Sequence, residues 1–119
     1  MSEEKNPVMK PSLLAERKPV MIEFKQLEPL ATGISKYGEW KLYPIEVTNC
    51  NVEKDGNTIE GYTGEAITFL NTSKLSIKLN KALEQGITTV MIETYPEKNK
   101  KGIYYPKFIV TTLEGQEIA

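Results

Sequence analysis

The chain has 119 residues, 39% of them hydrophobic and 26% charged, a composition that suits one soluble globular domain and is too apolar for a fully disordered chain. Fifteen Lys and Arg against 16 Asp and Glu leave a formal charge of −1, which excludes attachment to nucleic acid or membrane by bulk charge alone. The sequence holds no histidine, so Ser-His and Cys-His nucleophile pairs, His metal ligands and an imidazole pH switch are excluded together.

Residues 1–19 carry three prolines, mixed charges and one short apolar patch, Leu13-Leu14-Ala15, and are expected to form a flexible arm. They lack the apolar stretch of a secretory signal, and no later run approaches the roughly 18 apolar residues that span a bilayer, so neither secretion by that route nor membrane insertion is expected. In Val20-Met21-Ile22-Glu23-Phe24-Lys25 the residues Val20, Ile22 and Phe24 share one face of a first strand. Pro29 and Gly33 break its continuation, and Ser35-Lys36-Tyr37-Gly38 supplies a turn. A second strand over Glu39 to Val47 places Tyr43, Ile45 and Val47 on a core face and Trp40, Leu42 and Pro44 on the other. The polar run from Asn49 to Asn57 contains Lys54-Asp55-Gly56-Asn57, whose residues tolerate positive φ, and predicts a hairpin. A third strand through Ile59 to Leu70 would turn Ile67 and Phe69 to the core, with Gly61 and Gly64 permitting sharp curvature.

The period then changes from two to about 3.6: Leu75, Leu79, Ala82 and Leu83 fall on one helical face, while Lys74, Lys78 and Lys81 fall on another and read as solvated. Thr72 or Ser73 can cap the start of this helix and Gly86 can end it. Period two resumes over Thr89 to Tyr95 and again over Ile103 to Thr112, on either side of a lysine-rich loop at 96–102. The predicted fold is thus mainly β, a five-stranded OB-fold Greek-key barrel of order β-β-β-α-β-β over residues 20–113, followed by a short tail at 114–119.

Three passages sharpen that reading: Lys36-Tyr37-Gly38-Glu39-Trp40 entering the second strand, Phe69-Leu70-Asn71-Thr72-Ser73-Lys74-Leu75 entering the helix, and Leu83-Glu84-Gln85-Gly86 leaving it. With the element order, these make the stretch from about Val20 to Leu113 resemble the small single-stranded DNA-binding OB-domains of archaea, phages and archaeal viruses, which are similar in architecture to one domain of replication protein A. The resemblance implies that a single strand crosses the outer face of the second and third strands, clasped by the loop before the second strand and the loop between the fourth and fifth. It implies largely sequence-independent binding of single-stranded DNA, or of RNA, in replication, recombination or repair. It implies no cofactor.

Alternation puts Trp40, Tyr62, Tyr95 and Tyr105 on the outside, where rings can stack on unpaired bases; Tyr37 in the first loop joins them. The competing role for Trp40 is closure of the barrel mouth or packing under the arm, and strands favour tyrosine without any ligand. Lys98, Lys100, Lys101 and Lys107, opposed between Tyr95 and Lys107 only by Glu97, give a local charge of +3 that can follow a phosphate backbone. Lys36 and Lys41 stand beside Tyr37 and Trp40. Against this, residues 20–70 hold eight acids and four lysines, so affinity depends on where those acids sit.

No catalytic set is apparent. Cys50 has no histidine to activate it and reads as a small buried hydrophobe; as the sole cysteine it can form neither an internal disulfide nor a Cys-rich zinc site, which points to a reducing, cytoplasmic setting. The carboxylates show no metal-ligand spacing, and no Gly-Lys-Ser/Thr follows Gly61 and Gly64 to make a phosphate loop. The main alternative is an OB-like protein-interaction module of a replication or phage complex, in which the same rings anchor a protein partner. Pairing of an open strand edge in a homo-oligomer is a third arrangement.

Overall fold

The alternation along the chain becomes strands, and the one stretch of 3.6 periodicity becomes the helix. The computed structural model describes residues 6–118. In chain order these form β1 (Val8–Met9), a 3-10 turn at Pro11–Leu13, β2 (Val20–Phe24), β3 (Ala31–Ser35), β4 (Gly38–Lys54), β5 (Asn57–Leu70), α1 (Lys74–Glu84), β6 (Thr89–Lys98), β7 (Tyr104–Thr112) and β8 (Glu117–Ile118). The strands lie in one mixed sheet of order β1-β5-β4-β2-β6-β7-β8, with β3 beside β4. Eight strands therefore stand among the described residues where five were expected; the additions are β1, β3 and β8.

The core follows the predicted faces on most elements. Val20, Ile22 and Phe24 of β2, Tyr43, Ile45 and Val47 of β4, Val90 and Ile92 of β6 and Val110 of β7 are buried, with Leu75, Leu79, Ala82 and Leu83 of α1 packed among them. Full burial of one such Val, Leu or Ile side chain contributes about 1.5–3 kcal/mol. The Ser73 hydroxyl oxygen accepts from the Ser76 amide (3.3 Å) and caps α1. At the other end Gly86, at φ +76°, turns the chain out of the helix. The β4–β5 hairpin turns at Asp55 and Gly56, both at positive φ (52° and 80°), the conformation that makes Asp-Gly the preferred two-residue turn.

The predicted inward face of the third strand is reversed. Tyr43 stands opposite Thr68 and Ile45 opposite Ala66, and directly opposed residues of an antiparallel pair share a face. Ala66, Thr68 and Leu70 are therefore buried, while Phe69, opposite Leu42, faces outward and is 43% exposed. Two register shifts, between Val47 and Cys50 and between Cys50 and Val52, put an extra residue first on β4 and then on β5. Tyr62, expected outside, pairs with buried Cys50 and packs against the core, its hydroxyl donating to the Glu65 carbonyl (2.8 Å).

Over residues 6–19 the expected flexible arm is docked; the rest of that stretch lies outside the described residues. Val8 pairs with Ile67 of β5 and with Glu53 of β4, and Met9 and Leu14 are buried. The Asn51 side chain donates to the Leu13 carbonyl (3.0 Å) and accepts from the Gly61 amide (3.1 Å), and the Arg17 amide donates to the Thr94 carbonyl (2.8 Å). The N-terminal segment thus crosses from the free edge of β5 to β6. The expected tail also joins the sheet, because β8 pairs with β7 and buries Ile118.

Candidate nucleic-acid interface

The outer face of the β4–β5 pair divides into two halves. Trp40, Leu42 and Pro44 alternate outward on β4, and Phe69 and Ile67 stand opposite Leu42 and Pro44. Trp40 and Phe69 pack edge to face, with ring centroids 5.7 Å apart. Gly33 on β3 lies opposite Trp40, and its lack of a side chain leaves room for the indole: a Cβ there would stand 2.3 Å from Trp40 Cζ2. Six residues further along β4, roughly 20 Å at strand rise, Glu46 stands between Glu23 of β2 and Glu65 of β5 in one exposed row. Lys25 pairs with Glu65, and that hydrogen-bonded pair raises the Lys25 pKa and lowers that of Glu65. The acids of residues 20–70 that lie on this face are therefore gathered away from the aromatic half, which a polyanion could cover without crossing them.

A second cluster of rings and lysines meets the first at the start of α1. Tyr37, at the tip of the β3–β4 hairpin, is 75% exposed, with Lys36 Nζ 5.0 Å from its ring centroid. The Thr72 hydroxyl donates to the Tyr37 carbonyl at 3.5 Å, and two residues on, Lys74 Nζ lies 5.1 Å from the centre of the Tyr105 ring. Beyond Tyr105, at the end of the β6–β7 hairpin, Lys98 stands over Tyr104 (5.6 Å), which is 68% exposed. Lys100 and Lys101 occupy the turn itself, which Asn99 organises by accepting from the amides of Lys101 (2.9 Å) and Ile103 (3.0 Å). Rings and cations thus run from Phe69 and Trp40 past Tyr37 and the start of α1 to Tyr105, while Tyr104, the neighbouring residue of β7, turns to the other face of the strand with Lys98.

No family model, curated protein or solved structure matches the chain. Lys41 follows Trp40 in the strand and so lies on the opposite face, between Thr32 and Leu70 in register; adjacency in sequence separates rather than joins the two. Lys107 shares a face with Tyr105 but pairs with Glu97 at 3.8 Å. Tyr95 faces outward, yet its hydroxyl donates to Glu93, which raises its pKa, and the Arg17 guanidinium stands 5.9 Å from its ring. Tyr62 is on the inner side, as described above.

Three participants are absent from the sequence-based set. Alternation with Ile67 turns Phe69 to the core, Tyr104 stands unmarked beside Tyr105, and Lys74 belongs to a helical face that reads as solvated. Counting pairs back from the Asp55-Gly56 turn sets Ile45 opposite Ala66 and Tyr43 opposite Thr68, because the bulge on β4 and the bulge on β5 cancel, and this register turns Phe69 outward. Cys50 is buried and its thiol is pushed up to about 11 by desolvation, so it is not a nucleophile at neutral pH. Among the described residues, no group of three or more Cys, Asp and Glu side chains could hold a metal ion, and no helix is long and apolar enough to cross a membrane.

Proposed function

We propose that the protein binds single-stranded DNA with little sequence preference, and that its sheet is an OB-type barrel. In this reading β2 and β3 together are the first barrel strand, since both pair with β4; β4, β5, β6 and β7 are the other four, and α1 sits between the third and fourth. The N-terminal segment then fills the gap beside β5. The observation that carries the function is the Trp40–Phe69 pair seated over Gly33 on the outer face, continuous through the start of α1 with Tyr105 under Lys74. Each base that stacks on such a ring contributes about 1–3 kcal/mol whatever its identity. The lysines at Lys36, Lys74, Lys98, Lys100 and Lys101 supply phosphate contacts, each of which steepens the salt dependence. A role in replication, recombination or repair follows from that activity.

Trp40 is the sole tryptophan, so its fluorescence reports on the proposed face directly. Titration with labelled oligothymidine should quench it, with an affinity that falls as salt rises. No binding at tens of micromolar protein in low salt would refute the proposal.

A second reading, a protein-interaction module, draws on a different surface. Ile34 alternates away from Gly33 and is 86% exposed, and Leu27 and Leu30 before β3 are also exposed. A protein partner on that side would leave Trp40 fluorescence unchanged.

A further inference from the structure

Two clefts meet at the Tyr105-Pro106 step of β7. The first, about 250 Å³, lies between the N-terminal segment and the β6–β7 hairpin and is walled by Pro11, Leu14, Pro96, Tyr104, Tyr105 and Pro106. The second, about 190 Å³, lies between α1 and β7 and is lined by Tyr105 and Pro106, by Lys74 and Lys78 of α1, and by the Lys107–Glu97 pair. One cleft is therefore mainly apolar and ring-lined, the other carries a net charge of +2, and Tyr105 and Pro106 are common to both.

The two differ in what they can recognise. The first is below the roughly 300–1,000 Å³ of pockets for drug-sized ligands and suits one ring system held against tyrosine and proline faces. In the second, Lys78 spends one of its three donors on the Phe108 carbonyl (2.8 Å), and Lys74 rests over Tyr105. Both keep donors for an anion. Glu16 is the one acid on the slot and is exposed at its rim. A neutral apolar ligand would leave the lysines unanswered, and a simple anion would leave the slot unfilled.

We infer that the slot and groove together hold one nucleotide of the bound strand, its base in the slot against Tyr105 and its phosphate in the groove on Lys74 and Lys78. The inference rests on the single-strand reading above and adds to it a discrete subsite beyond the β4–β5 face. The start of α1 links the two, since Thr72 reaches Tyr37 and Lys74 reaches Tyr105. A strand leaving Trp40 thus meets the subsite next.

The test is amide chemical-shift mapping of the full chain with four probes: thymidine monophosphate, thymidine, inorganic phosphate and an oligothymidine. The monophosphate should shift the amides of Ser12, Tyr104, Tyr105, Lys74 and Lys78, thymidine and phosphate should each do so at least tenfold more weakly, and the oligomer should shift these amides together with those of Trp40 and Phe69. A Lys74→Gln, Lys78→Gln double variant should weaken the monophosphate at least tenfold, and Tyr105→Leu should do the same. If the oligomer moves Trp40 and Phe69 alone, the subsite is refuted while single-strand binding stands. If the oligomer does not bind, both fall. Equal shifts from phosphate and monophosphate would leave only an anion groove, and a proline-rich peptide moving the slot amides where nucleotides do not would make it a peptide site; either overturns the inference.

Discussion

Adding one methyl group at Gly33 should unseat Trp40 without altering the indole itself. An ideal Cβ at Gly33 would lie 2.3, 2.5 and 2.8 Å from Trp40 Cζ2, Cε2 and Nε1, whereas ordinary contact begins near 3.4 Å. The ring must therefore retreat by at least 1.1 Å, the difference between 3.4 and 2.3 Å. Gly33 does not sit in the left-handed region, so alanine is tolerated by the backbone and the effect is purely steric. Losing the edge-to-face pair with Phe69 costs about 0.5–1.5 kcal/mol, and an off-rotamer indole costs a similar amount. Gly33→Ala should accordingly lower stability by about 1–3 kcal/mol in urea unfolding and shift Trp40 emission. If stacking on Trp40 contributes about 1–3 kcal/mol, oligothymidine affinity should fall by about 5- to 150-fold. Thr32→Ala, on the opposite face of β3, is the control and should change neither. A Gly33→Ala protein with unchanged emission and unchanged affinity would refute the assignment of Trp40 to a seated stacking platform.

Phe69→Ala should cost about 1–3 kcal/mol of stability, from the lost pair with Trp40 and the partial burial of the ring, and weaken oligothymidine binding by about 5-fold or more; a larger stability loss with normal binding would return Phe69 to the core. Met9→Ala should destabilise by about 2–5 kcal/mol in the same unfolding assay, since Met9 is almost fully buried, whereas a loose arm would give no change. Cys50 should resist a thiol reagent at pH 8 until the protein is unfolded. Its folded pKa is raised, so the neutral thiol is favoured in the native state: stability that is intact below about 9, where the unfolded thiol ionises, declines as pH rises toward about 11. Wild type should therefore lose stability relative to Cys50→Ala across that window, and parallel pH profiles of the two proteins would exclude a buried thiol.

The legible parts of this protein are those that depend on residues close in sequence. The spacing of Leu75, Leu79, Ala82 and Leu83 specifies a helix whichever partner it meets, and Asp55-Gly56 specifies a tight hairpin because few other pairs accept two positive φ angles. The candidate site was half legible on the same grounds: Tyr37 and Trp40 follow a turn and a well-patterned strand, and Lys98, Lys100 and Lys101 cluster visibly. Phe69 and Lys74 were not, because their roles depend on which residues stand opposite them.

By itself the amino-acid sequence determined the periods, the turns and most of the core: where the chain alternates, where it coils, and which faces of β2, β4 and β6 are apolar. Only the tertiary structure decided phase and placement. Alternation on β5 offers two faces, and the choice between Phe69 outward and Phe69 inward was made by pairing Tyr43 with Thr68 and Ile45 with Ala66, a register that the two bulges leave unchanged because each strand absorbs one residue. Residues 6–19 have no pattern of their own, and they dock because β5 presents an open edge and the core has space for Met9 and Leu14. The near-zero net charge behaves the same way. The total is a property of composition, but folding gathers Glu23, Glu46 and Glu65 in one row and the lysines around Tyr37, Tyr104 and Tyr105, since neighbours across strands and hairpins are distant in the chain.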